Sequence, residues 1–306
     1  MNDQTLFLRP SGVLSYENCG YSCYLQYVLQ IRTTTTSHSL AFGTAGHKGA
    51  LPYVAAHALG ETVDTVALFR EAWTEQLDNN VVQFSTHSVD ELTAIGVKLA
   101  QSFPAVWDRS GMRAVVVAGR PLVENRLRLP LGENVVLTGE PDIIATSIED
   151  PGMGLIIPDV KFASGESFDG FANISDQLTA YNLLVHFRRN LLGLEGTPIA
   201  KVGFCEGLKK KDATWAEPQL APARTEREMG EYVAKVQMTA ALMRKGYFPK
   251  RSASGYNTPC AMCDFRNLCL KGDSSGLHSR LGPVDDLVNQ PIGAVSSHTV
   301  DVKEAA

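Results

Sequence analysis

Asp142, Asp159 and Lys161 are the residues of this sequence best suited to do chemistry together. The stretch around Leu137 ends in Gly139-Glu140-Pro141-Asp142, and the next apolar run reads Leu155-Ile156-Ile157-Pro158-Asp159-Val160-Lys161. If both are strands and neighbours in an antiparallel pair, Asp142 and Asp159 meet at one end of a sheet. Side chains along a strand repeat every two residues, so Asp159 and Lys161 share a face. Carboxylate oxygens hold hard divalent cations such as Mg2+ or Mn2+. A cation so held lowers the pKa of a bound water and neutralises charge on a phosphate. A lysine beside that water stabilises the transition state electrostatically. Phosphodiester hydrolysis needs this combination. The Asp-x-Lys tripeptide alone is common. The apolar run Leu155–Ile157 adds the weight, because charges at the end of a buried strand are costly unless they bind something.

A second group of chemical residues is formed by cysteines. Of the six (Cys19, Cys23, Cys205, Cys260, Cys263 and Cys269), three lie in the compact pattern Cys260-x2-Cys263-x5-Cys269. In a cytoplasmic chain stable disulfides are rare, and clustered thiols read as metal ligands. A fourth ligand must come from elsewhere. Cysteine ligation suits an iron–sulfur cluster and structural zinc alike, and the spacing does not choose between them. Cys205, in an apolar run, reads as a buried core thiol.

Several elements must position these groups. Ser11–Ile31 has the spacing of a helix, Arg32–Ser39 reads as a loop, and a second helix starts near Gly43 and carries His47. Residues 62–107 read as a helical insertion with Leu68, Trp73 and Leu77 buried. Four runs rich in Val, Ile and Leu follow, at 113–118, 122–129, 135–146 and 154–161, separated by short turn signals that imply antiparallel hairpins. A helix over 174–192, a strand over 199–206 and a long helix over 226–245 complete the order, which is that of a mixed α/β core. From about Gly272 periodicity is weak, so 273–306 reads as a loosely held tail, with an edge strand possible at 292–302.

Composition bounds the rest. The chain has 306 residues, 44% of them hydrophobic, and a net charge of −5, enough for one large core and not the broad basic surface of a general phosphate binder. Lys209-Lys210-Lys211, Arg188-Arg189 and the group Arg244, Lys245, Lys250 and Arg251 read as ordinary solvated charges. No apolar run reaches bilayer length and the first ten residues lack a secretory core, so a cytoplasmic protein without membrane contact is expected. No Gly-x-x-x-x-Gly-Lys-Ser/Thr loop is present, so any DNA unwinding must come from a partner.

Pro141-Asp142 followed by Asp159-Val160-Lys161 resembles the PD-(D/E)XK nuclease superfamily, and in particular its RecB, AddB and CRISPR-associated RecB-like exonuclease branch. Gly43-Thr44-Ala45-Gly46-His47 looks like that branch's Gly-x-x-x-His helix, and Gln177-Leu178-Thr179-Ala180-Tyr181 like its Gln-x-x-x-Tyr motif. Cys19-Gly20-Tyr21-Ser22-Cys23-Tyr24-Leu25-Gln26-Tyr27 resembles its Cys-Pro-x-x-x-Tyr-x-x-Tyr helix, with Gly20 in place of proline. The resemblance implies a restriction-endonuclease-like mixed sheet flanked by helices in one domain over 1–272. It implies catalysis by Asp142, Asp159, Lys161, Gln177 and Tyr181, and a Mg2+ or Mn2+ ion on His47, Asp142 and Asp159. It further implies a 4Fe-4S cluster on Cys19, Cys260, Cys263 and Cys269, joining segments 11–31 and 256–271, with zinc as the rival and Cys23 as a core residue. The implied function is a DNA exonuclease acting on single strands or ends in recombination, repair or phage DNA processing, with a helicase or recombination protein as partner. The alternatives are a non-catalytic DNA-binding or assembly module and a four-cysteine zinc protein. One departure stands out: Pro158 inside the catalytic strand suits an edge or irregular strand.

Overall fold

A computed structural model describes residues 5–251 and 258–292. The chain forms two compact units, Thr35–Leu127 with Gly139–Met229, and Met1–Thr34 with Arg128–Thr138 and Gly230–Ala306.

The larger unit opens with three helices, α1 His38–Leu59, α2 Thr65–Asn79 and α3 Val89–Arg109. It continues with strands β1 Met112–Ala114, β2 Ala145–Ser147 and β3 Leu155–Ala163, then helix α4 Asp176–Arg188, then β4 Ile199–Leu208, β5 Thr214–Trp215 and β6 Gln219–Pro222. The strand order is β5-β4-β3-β2-β1, with β6 also paired to β4. Strands β3 and β4 are parallel and the other pairs antiparallel. A parallel pair cannot be joined by a hairpin, and α4 supplies the crossover. The mixed α/β core expected from the sequence is therefore present, with the helix-linked strands β3 and β4 as its parallel pair. Strands β5 and β6 had no sequence expectation.

Local signals explain the helix boundaries. α1 starts five residues before Gly43 because the Ser37 hydroxyl accepts from Leu40 N at 3.2 Å and caps it. It ends at Gly60 in the left-handed conformation, φ 76°. Ser88 and Glu91 form a reciprocal capping box at the start of α3. The buried residues of α3, Leu92, Ile95, Leu99, Phe103 and Trp107, recur every three or four positions and mark its apolar face. That face packs in part with Leu51, Val54, Ile143, Ile156, Val160 and Cys205 beside the sheet. A second core, around Phe42, Phe69 and Trp73, joins the three helices. Phe162 touches both cores. A Cβ at Gly46 would stand 2.4 Å from its ring, so this glycine lets α1 lie against β3.

The single strand expected over 135–146 is broken. Val135–Gly139 pairs in parallel with Leu6–Leu8 and lies beside Leu127–Pro130 in a three-stranded sheet, whereas Ala145–Ser147 is β2. Pro141 has no N–H for a ladder, and its neighbour Asp142 spends a side-chain oxygen on the backbone of β3.

In the smaller unit the helix expected over 11–31 is also interrupted. Pro10–Asn18 stops at Cys19, which is extended (φ −165°, ψ 107°), and Gly20–Cys23 runs on into a wide turn of helix at Tyr24–Val28. Gly20 has a packing reason: a Cβ there would sit 2.7 Å from Pro249 Cδ, and Tyr21 N donates to Pro249 O at 3.0 Å. The expected loop after residue 31 contains a strand, Ile31–Thr33, paired with Leu277–Ser279 of the segment read as a tail; helix Val284–Val288 follows. The edge strand considered at 292–302 falls, beyond Ile292, outside the described residues, as do residues 256 and 257 of the cysteine-bearing segment.

Candidate active site

The register of β2 and β3 decides where the carboxylates go. Ala145 faces Ile156, and counting on along both chains sets Asp142 opposite Asp159. Val160 N donates to Asp142 Oδ2 at 2.8 Å. This bond also accounts for Pro158. Amides two residues apart on a strand point the same way, so position 158 points to the side where β2 has already ended. The missing N–H costs no ladder bond, and the parallel ladder to β4 runs past Pro158 intact. Pro158 thus occupies a local edge of a strand that is otherwise central.

Asp159 is 0% exposed. Its Oδ2 lies 2.6 Å from Lys161 Nζ, in a charge-assisted ion pair. Oδ1 accepts from Gln177 Nε2 at 3.1 Å, and the same amide nitrogen donates to the Tyr181 hydroxyl at 3.0 Å. Gln177 and Tyr181 lie one turn apart on α4, so one face of the helix presents both. His47 projects from α1; its Nε2 is 2.7 Å from Val160 O and 4.0 Å from Asp142 Oδ2. All six residues read from the sequence are therefore brought together.

Burial sets the electrostatics. Removal from water, reinforced by the charge of Asp159, pushes the Asp142 carboxyl well above the usual carboxylate range. Burial also lowers the His47 pKa, and nearby Lys161 lowers it further, so the imidazole is neutral near pH 7. Burial alone would lower the Lys161 pKa, but Asp159 and Asp142 outweigh it and raise it. Tyr181 is raised well above 10 by burial and by Asp159, and stays protonated.

One neighbour escaped the sequence reading. Glu124 N donates to Asp142 O at 2.9 Å, with Glu124 at φ 51°, and its carboxylate raises the pKa of both Asp142 and His47. No motif marks it; only a positive φ at a non-glycine residue does. The basic runs need one correction. Lys209 is not a solvated charge but 6% exposed, its ammonium 5.6 Å from the centre of the Phe42 ring.

The donor set suits a divalent ion: two carboxylates and a neutral imidazole. Among the described residues no three such side chains are yet gathered at ligand spacing. His47 would have to release Val160 O to use Nε2.

The cysteines form a separate group in the smaller unit. Cys19, Cys260, Cys263 and Cys269 all line one open cavity of about 380 Å3, and Cys23 does not. Cys23 is buried instead, its thiol donating to Gly12 O at 3.9 Å and pushed up to about 12 by burial. Cys205 is likewise buried and raised to about 12.

Residues 8–270 match the model of the PD-(D/E)XK nuclease superfamily. The chain belongs to that superfamily. Its members typically use a divalent metal, and DNA is the substrate that nuclease membership implies. Among solved structures, the PD-(D/E)XK chain is similar to a protein of Eubacterium rectale provisionally named an exonuclease, at 14% identity and a TM-score of 0.44 over 87% of this chain and 88% of that one. It is also similar to the protein SSO0001, at 12% identity and a TM-score of 0.33 over 78% and 87%. Similarity this low carries no inference about chemistry. No curated protein matches the sequence. No helix among the described residues is long and apolar enough to cross a membrane.

Two expected results arise from this geometry. His47→Ala raises the Mn2+ concentration needed for half-maximal cleavage about 10–100-fold, the usual cost of disturbing a metal's surroundings. A slower variant with unchanged metal dependence would reduce His47 to a support for Val160. Gln177→Ala and Tyr181→Phe leave cleavage measurable. The first loses about tenfold, the worth of one orienting hydrogen bond at ~1.4 kcal/mol, and the second less. Wild-type rates in both would make the pair packing residues.

Proposed function

We propose that this protein is a metal-dependent deoxyribonuclease of the RecB-like exonuclease branch that shortens single-stranded DNA or DNA ends in recombination, repair or phage DNA processing. The observation that carries the reading is the convergence of Asp142, Asp159 and Lys161 beside His47 at the local edge of β3. Asp142 and Asp159 would hold the cation, with His47 as the third ligand. The cation supplies a water of lowered pKa and charge neutralisation at the phosphate. Lys161, kept charged by the two carboxylates, aligns that water and offsets charge on the phosphoryl oxygens. Gln177 fixes the rotamer of Asp159, and the protonated Tyr181 hydroxyl receives the other contact of the same amide. Any helicase or recombination partner supplies the unwinding that the chain's own sequence lacks.

The cysteine cavity is read as the seat of a 4Fe-4S cluster on Cys19, Cys260, Cys263 and Cys269. The four thiols line one open cavity of about 380 Å3, which supports a shared centre; cysteine ligation suits a cluster and zinc alike, and iron analysis separates the two. Digestion of end-labelled linear, circular and single-stranded DNA with Mg2+ or Mn2+ tests the activity. Release of short products from linear and single-stranded DNA, with circles spared, is expected. No cleavage of any substrate would leave a DNA-binding or assembly module.

A further inference from the structure

The loop between catalytic strand β3 and helix α4 is anchored from beneath and carries an exposed aromatic ring. Ser167 is its fixed point. Its N and Oγ both donate to one carboxylate oxygen of the buried Glu206, at 3.1 and 2.8 Å, and its carbonyl accepts from Gln219 Nε2 at 2.9 Å. Glu206 stands opposite Lys161, and Phe204 opposite Asp159, in the parallel register of β3 and β4. Paired residues of neighbouring strands present their side chains on one face, so the anchor lies on the face that carries the carboxylates. Phe171 stacks on Phe204 with centroids 5.5 Å apart and planes at 21°. Phe168 meets Phe171 edge-on at 5.4 Å and is itself 62% exposed. A row of three rings thus leads from the neighbour of Asp159 to the surface.

The chemistry on either side of the loop narrows the occupant. A groove of about 510 Å3 runs along it, lined by Glu166, Asp169 and Glu217 among others, and this groove repels phosphates. Phe168 is not part of that lining. An aromatic ring has no charge for a phosphate or a base edge, but it does have a face for a base plane, and every base has one to offer. In a duplex the base faces are already covered by their neighbours.

Resting on the nuclease reading above, we propose that Phe168 is a stacking platform for one unpaired base next to the scissile phosphate, and that it sets the preference of this site for single strands. Glu206 and Gln219 are the positioning residues that hold the platform in place. A ring on a loop tied at three points loses little freedom when a base lands on it, so the contact is preorganised.

The test is a scan of short single-stranded oligonucleotides, each with one abasic position, against the full-length metal-loaded protein. Wild type should show a KM about tenfold higher, within the range known for one stacked base, at a single abasic position, with kcat nearly unchanged. Phe168→Ala should show the same KM rise on intact DNA, no further rise at that position, and a smaller ratio of single-strand to duplex cleavage. Phe168→Trp should restore all three. Phe168→Ala with wild-type KM and the wild-type abasic profile overturns the proposal while leaving the nuclease reading in place. If wild type cuts no DNA the nuclease reading falls. Anisotropy of the same labelled oligonucleotides then decides the stacking contact on its own, and equal affinity of wild type and Phe168→Ala overturns it.

Discussion

Asp159→Asn should abolish DNA cleavage, lowering kcat at least about 10³-fold, or ~4 kcal/mol in the barrier, while the protein still folds and binds DNA. The amide is nearly isosteric, so the wholly buried site keeps its shape, and one of its two polar atoms can still meet Gln177. What it removes is the anionic oxygen that faces Lys161 and would face the cation. Asp159→Ala is the harsher variant, because it leaves the Lys161 ammonium and the Gln177 amide without the group they were built around. Lys161→Ala should lose about 10²–10³-fold, the scale of one preorganised electrostatic contact to the transition state. Either variant cleaving at the wild-type rate would remove the nuclease assignment from this site. The pH profile of kcat/KM offers a check without mutation. Protons compete with the cation for Asp142, whose carboxyl is held above the usual range in the metal-free site, so acidification should raise the metal concentration needed for cleavage, starting at a higher pH than an ordinary aspartate would give. On the alkaline side Lys161 keeps its proton beyond the normal lysine range, because the carboxylates outweigh its burial.

The residues behind that prediction were legible because their constraints are short in range. Period-two alternation puts Asp159 and Lys161 on one face, a one-turn spacing puts Gln177 and Tyr181 on one face, and an antiparallel neighbour brings up Asp142. The parts that were missed depend on distant chain. Leu6–Leu8 is only three residues long and becomes a strand through its partner at Val135–Leu137. The mixed sheet was expected, and its parallel pair, β3 with β4, is set by the packing of the intervening helix and not by a turn. The run expected as one strand over 135–146 is split by Gly139-Glu140-Pro141-Asp142, so its break was marked in the sequence by that polar stretch and by Pro141. Pro158 looked like a flaw in a central strand. It is tolerated because β2 ends before reaching it, a fact about the neighbour and not about β3 itself. Glu124 reaches Asp142 through its backbone amide, a group every residue but proline possesses, so its type carried no signal.

Cys19→Ser should empty the cysteine cavity of iron and Cys23→Ser should not. The two thiols lie four residues apart in one helical stretch, and spacing alone would let both face Cys260, Cys263 and Cys269. The chain break at Cys19 separates them. Its extended backbone ends one helix and starts the next, and it turns Cys19 into the cavity that the other three thiols line. Cys23 is packed away from that space against Gly12. In Cys19→Ser the link that the proposed cluster makes between segments 11–31 and 256–271 opens. Cross-links of this kind contribute about 2–5 kcal/mol, so Tm should drop by roughly 10 °C on the usual 2–4 °C per kcal/mol for a chain of this class. Cys23→Ser exchanges a soft core atom for a hydroxyl that can still donate to Gly12 O, at a cost of about 1 kcal/mol and a few degrees. Iron and zinc analysis of the two purified variants, beside wild type prepared without oxygen, decides the assignment. Full iron in Cys19→Ser with depletion in Cys23→Ser would reverse it, and zinc in the wild type would replace the cluster with a four-cysteine zinc site.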